Sequence, residues 1–538
     1  MSETTAAAAA PSSFLASLGL YDIDWSQLDH AYGPADDTPG HLETLYQASR
    51  KKTDTDQKDG TDDDKQATSA LYELDGSIAH QGSRYSASEA AVPFVYAILG
   101  GAEDESRYRI DILAFLGRLA VGNPEAFIPG GINTVLWRAE TATKQAPAWA
   151  AEEEQRRNDW VAEAEAAGDE TELKRRRLQV MIKHDPEDEA RTAAVELGCY
   201  DAVRRGLPAV LSFLQLSREN SPAVRSEAVL LLSMFPESPE VEASEKALRE
   251  LLERETVATV RGSALLALAM LRKKQKGDTS NTNYEAAGGV QKLLEEMHAV
   301  AKARWEKDSS DTDAAFEQWC CAAALVMLLG VEEVSTAILV DVVAPLKDDK
   351  DVFLKYQPGK QSKEKKDEED EAKNEHSEDQ KEGEGSEDQK QSERNEDKKK
   401  EEESESFSFA PLDLDGLCGA LLADVKGSAH PEVARAMMGA LVQAEGFSAL
   451  ELAHTVLSLA FDGEAPGSST GTGNKDKLQP PFGQLTVLQQ DTVKALTNVS
   501  DFCWKYADYK ATLKYWGLPN QRDELTAYVE GKAAEEAK

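Results

Sequence analysis

Two stretches of this chain superpose without a gap. VRSEAVLLLSMF (Val224 to Phe235) and VRGSALLALAML (Val260 to Leu271) share the Val-Arg start, and Ala228 aligns with Ala264, Leu230 with Leu266, and Met234 with Met270. ARTAAVELG (Ala190 to Gly198) takes the same register with Arg191 and Ala194, and YRIDILAFLG (Tyr108 to Gly117) with Arg109 and Ile112. Arg191, Arg225 and Arg261 lie 34 and 36 residues apart. Weaker copies have Gln318 in the arginine's place, followed by Cys321, Leu325 and Met327, or run PEVARAMMGAL from Pro431 to Leu441. A chain with a period in the mid-thirties grows by stacking units and not by adding separate cores, so its 538 residues do not translate into a domain count.

Each unit is helical. Apolar residues recur at three- and four-residue spacing in 88–99, 108–121, 207–217, 222–235, 241–252, 257–272, 285–304, 314–329, 333–345, 411–424, 431–443, 447–461 and 484–516. Asn220-Ser221-Pro222, Glu237-Ser238-Pro239 and His430-Pro431 place a proline at a helix start, where its missing N–H is not needed. No period-two strand stands out. Aromatic residues make up only 7%, and the Ala- and Leu-rich segments suit close-packed helices better than sheets.

This pattern, two helices per unit with the second opening on Pro or Asp, then Val-Arg and an alanine-rich face, resembles the HEAT-repeat family of α-solenoids. The resemblance implies an all-α fold of stacked helical hairpins with a curved groove. It also implies that the ladder Arg109, Arg191, Arg225 and Arg261 pairs with acidic residues of neighbouring repeats and fixes the stacking register. A narrower resemblance joins DWSQLDHAYGPADDTPGHLETL (Asp24 to Leu45) to LYELDGSIAHQGSRYSASEAAVPFVYAIL (Leu71 to Leu99), which together look like the opening of a group of uncharacterised HEAT-repeat proteins. That group brings no activity with it.

Polar stretches divide the chain. We expect a disordered tail over 1–13, a HEAT-like domain over 14–345, a disordered acidic linker over 346–408, C-terminal helical repeats over 409–531 and a tail over 532–538. Residues 51–66 form a polar insert, 143–184 a long charged helical insert, and 466–478 a flexible loop. Between Gln361 and Ser406 there are 20 acidic and 10 basic residues with almost nothing apolar, a composition that cannot bury enough surface to offset its ordering entropy.

Within the charged insert, Trp149 and Trp160 share a helix face. Glu152 with Arg156 and Glu153 with Arg157 are i,i+4 pairs. The aromatic run from Phe502 to Pro519 suits a cap on the last repeat.

Charge excludes one class of function. With 60 basic and 98 acidic side chains the net charge is −38, the wrong sign for a nucleic-acid binder, whose affinity rests on Lys and Arg displacing counterions from phosphates. The most apolar stretch, Cys320 to Val331, is short of the ~20 residues that a membrane-spanning helix needs, so no membrane partner is expected. Cys199, Cys320, Cys321, Cys418 and Cys503 are odd in number and show no CxxC spacing, which argues against a disulfide framework or zinc site and for an intracellular, cytoplasmic protein. The eight histidines form no His-Glu dipeptide and no HExxH, and no Walker A, GxSxG or GxGxxG motif occurs. No catalytic residue, metal or cofactor is therefore assigned.

One constellation could bind something specific. His80-Gln81-Gly82, with Trp25, His30, Tyr32 and Tyr85, combines groups that offer apolar faces and hydrogen bonds to a small molecule. The competing reading makes these residues a cap on the first repeat. The function expected is a non-catalytic scaffold or adaptor that binds another protein, a basic one, through its concave surface and acidic linker. The alternative is an enzyme or small-molecule binder centred on His80.

Overall fold

A computed structural model describes residues 14–50, 62–101, 107–183, 185–216, 220–237, 239–273, 281–346, 414–444, 446–463 and 478–532. The expected tails apart from Lys532, the expected acidic linker apart from Leu346, and all but Leu478 of the 466–478 loop lie outside the described residues. Of the polar insert at 51–66, residues 62–66 are not loop but the first turn of a helix.

The described chain is 76% helical, with 22 α-helices. Its one sheet is a two-stranded ladder, β1 (Asp29–His30) against β2 (Gly33–Pro34), with His30 opposite Gly33. Strands of two residues are too short for a period of two to show in the sequence.

The chain divides into two compact units, one built from residues up to Phe127 with Ile132–Glu250, the other from Ile128–Gly131, Leu251–Lys274 and the chain from Ser280 onward. The division thus falls inside the block expected over 14–345, and not at the acidic segment.

In the first unit, α1 (Phe14–Ser17) and the small sheet lead into α2 (Thr38–Ser49), α3 (Asp62–Ile78), α4 (Ser86–Gly101) and α5 (Arg107–Val121). Then follow α6 (Thr134–Lys144), α7 (Trp149–Ala166), α8 (Glu170–Ile182), α9 (Pro186–Leu211), α10 (Pro222–Ser233) and α11 (Glu240–Arg254), the last shared between the units. Helix α9 packs against α4, α5, α6 and α7, and α5 packs against α10. With α6–α8 set aside as an insertion, the hairpin α4–α5 is followed directly by the hairpin α9–α10. Gly206 makes this close approach possible, because a Cβ there would sit 2.1 Å from the ring of Tyr96 on α4.

Two helix boundaries and one ion pair differ from the sequence reading. The segment at 190–198 and the start of that at 207–217 belong to one 26-residue helix, α9, which runs through Pro208, ends at Leu211 and starts from an Asp185 cap with Pro186 at its first position. The charged insert is not one long helix but a hairpin, α7 and α8, broken at Gly168 (φ +70°), with the Asp169 carboxylate capping α8. The Glu153–Arg157 pair forms at 2.9 Å, but Arg156 turns to Glu153 instead of Glu152.

In the second unit, α12 (Ala258–Arg272), α13 (Asn281–Lys307) and α14 (Thr312–Leu329) pack on one another. Helix α14 is long and apolar enough to cross a membrane by length and composition, but most of it is buried, including Trp319, Cys320 and Cys321. Helices α15 (Thr336–Val342), α16 (Leu414–Leu422), α17 (Pro431–Gln443) and α18 (Gly446–Ala460) follow. The periodic run over 484–516 is three helices, α19 (Val487–Thr497), α20 (Asp501–Lys505) and α21 (Ala507–Tyr515), and α22 (Arg522–Val529) comes last. The breaks fall at Ser500 and Tyr506, both with extended-range ψ. Trp504, Tyr509 and Trp516 are buried, with the Tyr509 hydroxyl donating to the Leu496 carbonyl at 2.9 Å.

Candidate functional site

The residues around the His80 turn divide into a buried support and an exposed tip. Trp25 is buried, and its indole N–H donates to the Leu20 carbonyl at 2.8 Å. His30, also buried, accepts the Tyr32 backbone N–H on Nδ1 at 3.0 Å, which leaves Nε2 to donate to Asp37 Oδ1 at 3.1 Å. Ala31 N–H reaches the Ser77 carbonyl at 3.0 Å, so the tip of the small sheet is tied to the end of α3. These contacts spend the polar atoms of Trp25 and His30 on the fold.

Tyr32 and His80 do come together. Their rings meet edge-on with centroids 5.5 Å apart, and the Tyr32 hydroxyl is 3.5 Å from His80 Nδ1. His80 Nδ1 is closer to the Gly76 carbonyl, 2.9 Å, and donates there, so its Nε2 carries the lone pair. Tyr32 is 73% exposed. Gln81 is exposed in the left-handed region (φ 50°, ψ 35°), and half-buried Tyr85 accepts Ser88 N–H on its carbonyl at 2.9 Å while its own N–H goes to Ser88 Oγ at 2.7 Å.

The turn is closed from beneath by residues that sequence reasoning missed. Arg84 is buried, donates to the Gly82 carbonyl at 2.6 Å and lies 3.4 Å from Glu196 on α9. Burial lowers the pKa of its guanidinium, while Glu196 opposes the shift. A Cβ on Gly82 would press on Asn123 at 2.8 Å, and one on Gly122 would meet the Gly82 carbonyl and Arg84 at 2.3 Å. The His80 turn is thus seated on the Gly122-Asn123 turn after α5. Nothing periodic in the sequence marks Arg84, Asn123 or Glu196 as partners across 39 to 112 residues. A cavity of about 340 Å³ lies elsewhere, lined by Tyr21, Glu43, Thr44, Gln47 and Gln66.

The four arginines do not form one ladder. Arg225 donates to the Asn220 carbonyl in the turn before its own helix, α10. Arg261 does the same before α12, reaching the carbonyls of Leu252 at 2.7 Å and Glu255 at 3.2 Å. Arg261 also crosses to a carboxylate of another hairpin, Glu317 on α14 at 2.5 Å. Arg109 is buried, its guanidinium 5.6 Å from the ring centre of Phe213. Arg191 is out of place: it lies near the start of α9, the first helix of its hairpin, is 70% exposed, and binds Asp188 in its own helix. Its spacing to Arg225 does not reflect an equivalent position.

Other arginines hold the first unit together. Arg138 on α6 binds Asp201 and Glu237, each at 2.6 Å, and Arg204 binds Glu240 at 2.7 Å as well as Glu237. Hydrogen bonds to Glu237 and Asp201 raise the Arg138 pKa. Among the described residues, no three His, Cys, Asp or Glu side chains converge to hold a metal ion.

Comparison with protein-family models, with curated proteins and with solved structures gives no match.

Proposed function

We propose that this protein is a non-catalytic helical-repeat scaffold of the HEAT type that binds another protein, a basic one. The observation that carries the reading is where its cations go. Arg138, Arg204 and Arg261 are tied to carboxylates in the helical packing, which leaves the acidic surplus to set the outward field. Of the net −38, the stretch 361–406 contributes −10, so the remainder is acidic in its own right at −28. Such a field raises the encounter rate with basic partners, and the acidic stretch adds a tethered second contact.

The test is purification of the full-length protein with its partners at two salt concentrations, beside a variant lacking residues 361–406. Recovery of one or a few basic proteins that are lost at high salt supports the reading. Recovery of acidic or neutral partners alone, or of none above control, overturns it.

A further inference from the structure

Helix α8 carries a feature that a peripheral helix does not need for its own packing. It is 13 residues long with no fully buried residue, and it packs against α7. At 100° per residue, Glu172, Leu173, Arg176 and Val180 share one side, and these four are its half-buried residues. Arg176 stacks 4.8 Å from the Trp160 ring centre and binds Glu172 at 2.8 Å, so Trp160 faces α8. The inner side is therefore complete.

The opposite side is also apolar. Leu178, Met181 and Ile182 are 53%, 74% and 69% exposed. Lys174 and Arg177 fall within the same ~140° arc, and both are exposed. From Leu173 to Lys183 there are five cations and no acid, in a chain whose net charge is −38. Glu172 takes up Arg175 and Arg176, while Arg177 has only a 3.7 Å contact with Glu165. What remains outward is an apolar stripe at helical spacing that carries Lys174 and Arg177.

We infer that the outer face of α8 is a docking site for an acidic amphipathic helix of a partner protein. Apolar anchors of that helix would cover Leu178, Met181 and Ile182, and its carboxylates would meet Lys174 and Arg177. The charge pattern selects this occupant. A second copy packed stripe to stripe would oppose like charges. An anionic bilayer would also meet Asp185, Glu187, Asp188 and Glu189, which follow the stripe directly. This surface has the opposite sign to the one assigned to a basic partner, and the inference stands without that assignment.

The experiment uses the full chain and two synthetic 18-residue amphipathic helices, identical in their leucines, one flanked by glutamates and one by lysines. We expect saturable binding of the glutamate peptide by fluorescence anisotropy, weakened about tenfold by Leu178→Ser with Met181→Ser and by Lys174→Glu with Arg177→Glu. The charge-reversed variant should gain affinity for the lysine peptide, an exchange that mere loss of structure cannot produce, and circular dichroism checks that the variants remain folded. Equal binding of both peptides, no binding, or insensitivity to both variants overturns the inference. So do two other results that depend on the same residues: sedimentation with phosphatidylserine vesicles, which would assign the face to a membrane, and self-association in the ultracentrifuge, which would assign it to a second copy.

Discussion

Arg261 and Glu317 join two helices that are not consecutive, α12 and α14, with Nε 2.5 Å from Oε1. Glu317 is buried and also takes Arg304 of α13 at 3.1 Å, so one carboxylate ties three helices. It sits one residue before Gln318, the position at which the repeat replaces arginine.

Glu317→Ala should lower the stability of the second unit by about 3 kcal/mol, because it leaves a desolvated guanidinium without its counter-charge. Replacing Arg261 and Glu317 together by methionine should cost clearly less, since no charge is stranded. Urea unfolding of both variants, with the slope unchanged, measures the difference; equal losses would show that the pair acts only through packing.

The sequence made the helices of α10, α12 and α14 legible because a buried helix needs an apolar face at fixed spacing, and a copied hairpin repeats it. Ser221 capping α10 through the Val224 N–H at 3.3 Å, with Pro222 next, was equally visible. What stayed hidden depends on contacts distant in the chain. Arg191 shares the Arg225 spacing but faces solvent, because spacing does not say whether a residue lies on the first or second helix of a hairpin. At the His80 turn, Tyr32 and His80 were read together, whereas Arg84 was not: its role comes from Gly82, Gly122 and Glu196 meeting in three dimensions. The break between α7 and α8 could have been found from Gly168-Asp169, a C-terminal glycine followed by an N-cap.

Asp341 should make the α13–α15 contact sensitive to acid. Burial alone would raise its pKa, but His298, 3.0 Å away, and Lys302 more than reverse this and hold it below 3.8. A carboxylate with a depressed folded pKa contributes stability above its unfolded pKa, and that contribution is lost as pH falls through the folded value. Asp341→Asn should therefore destabilise the protein by about 2 kcal/mol at pH 7 and by less below pH 3.8, so that its acid-unfolding profile is flatter than that of the unmodified chain. An unchanged difference across this range would remove Asp341 from the acid response.

Gly122 should tolerate no side chain. Its φ is +80°, and a Cβ would lie 2.3 Å from the Gly82 carbonyl, a backbone atom that cannot swing aside. Gly122→Ala should cost about 3 kcal/mol from crowding and left-handed strain together. Tyr32→Phe, which removes only a hydroxyl 3.5 Å from His80 on an exposed ring, should change stability by less than about 0.5 kcal/mol. Thermal melts of the two variants test whether this turn acts through its buried seat or through its exposed tip.

The five cysteines should be silent in the native protein. All are free and buried, and burial pushes Cys199 up to about 12 and raises Cys320, Cys321 and Cys503 as well. The reactive species is the thiolate, and at neutral pH a thiol so displaced is almost entirely protonated and out of reach of reagent. Titration with a disulfide-exchange reagent should find essentially none of the 5 thiols in native buffer and all of them in denaturant. Slow native labelling that follows the rate of unfolding would fit this account; rapid labelling of Cys199 would mean that the packing of α9 against α4 and α5 opens on the timescale of the assay.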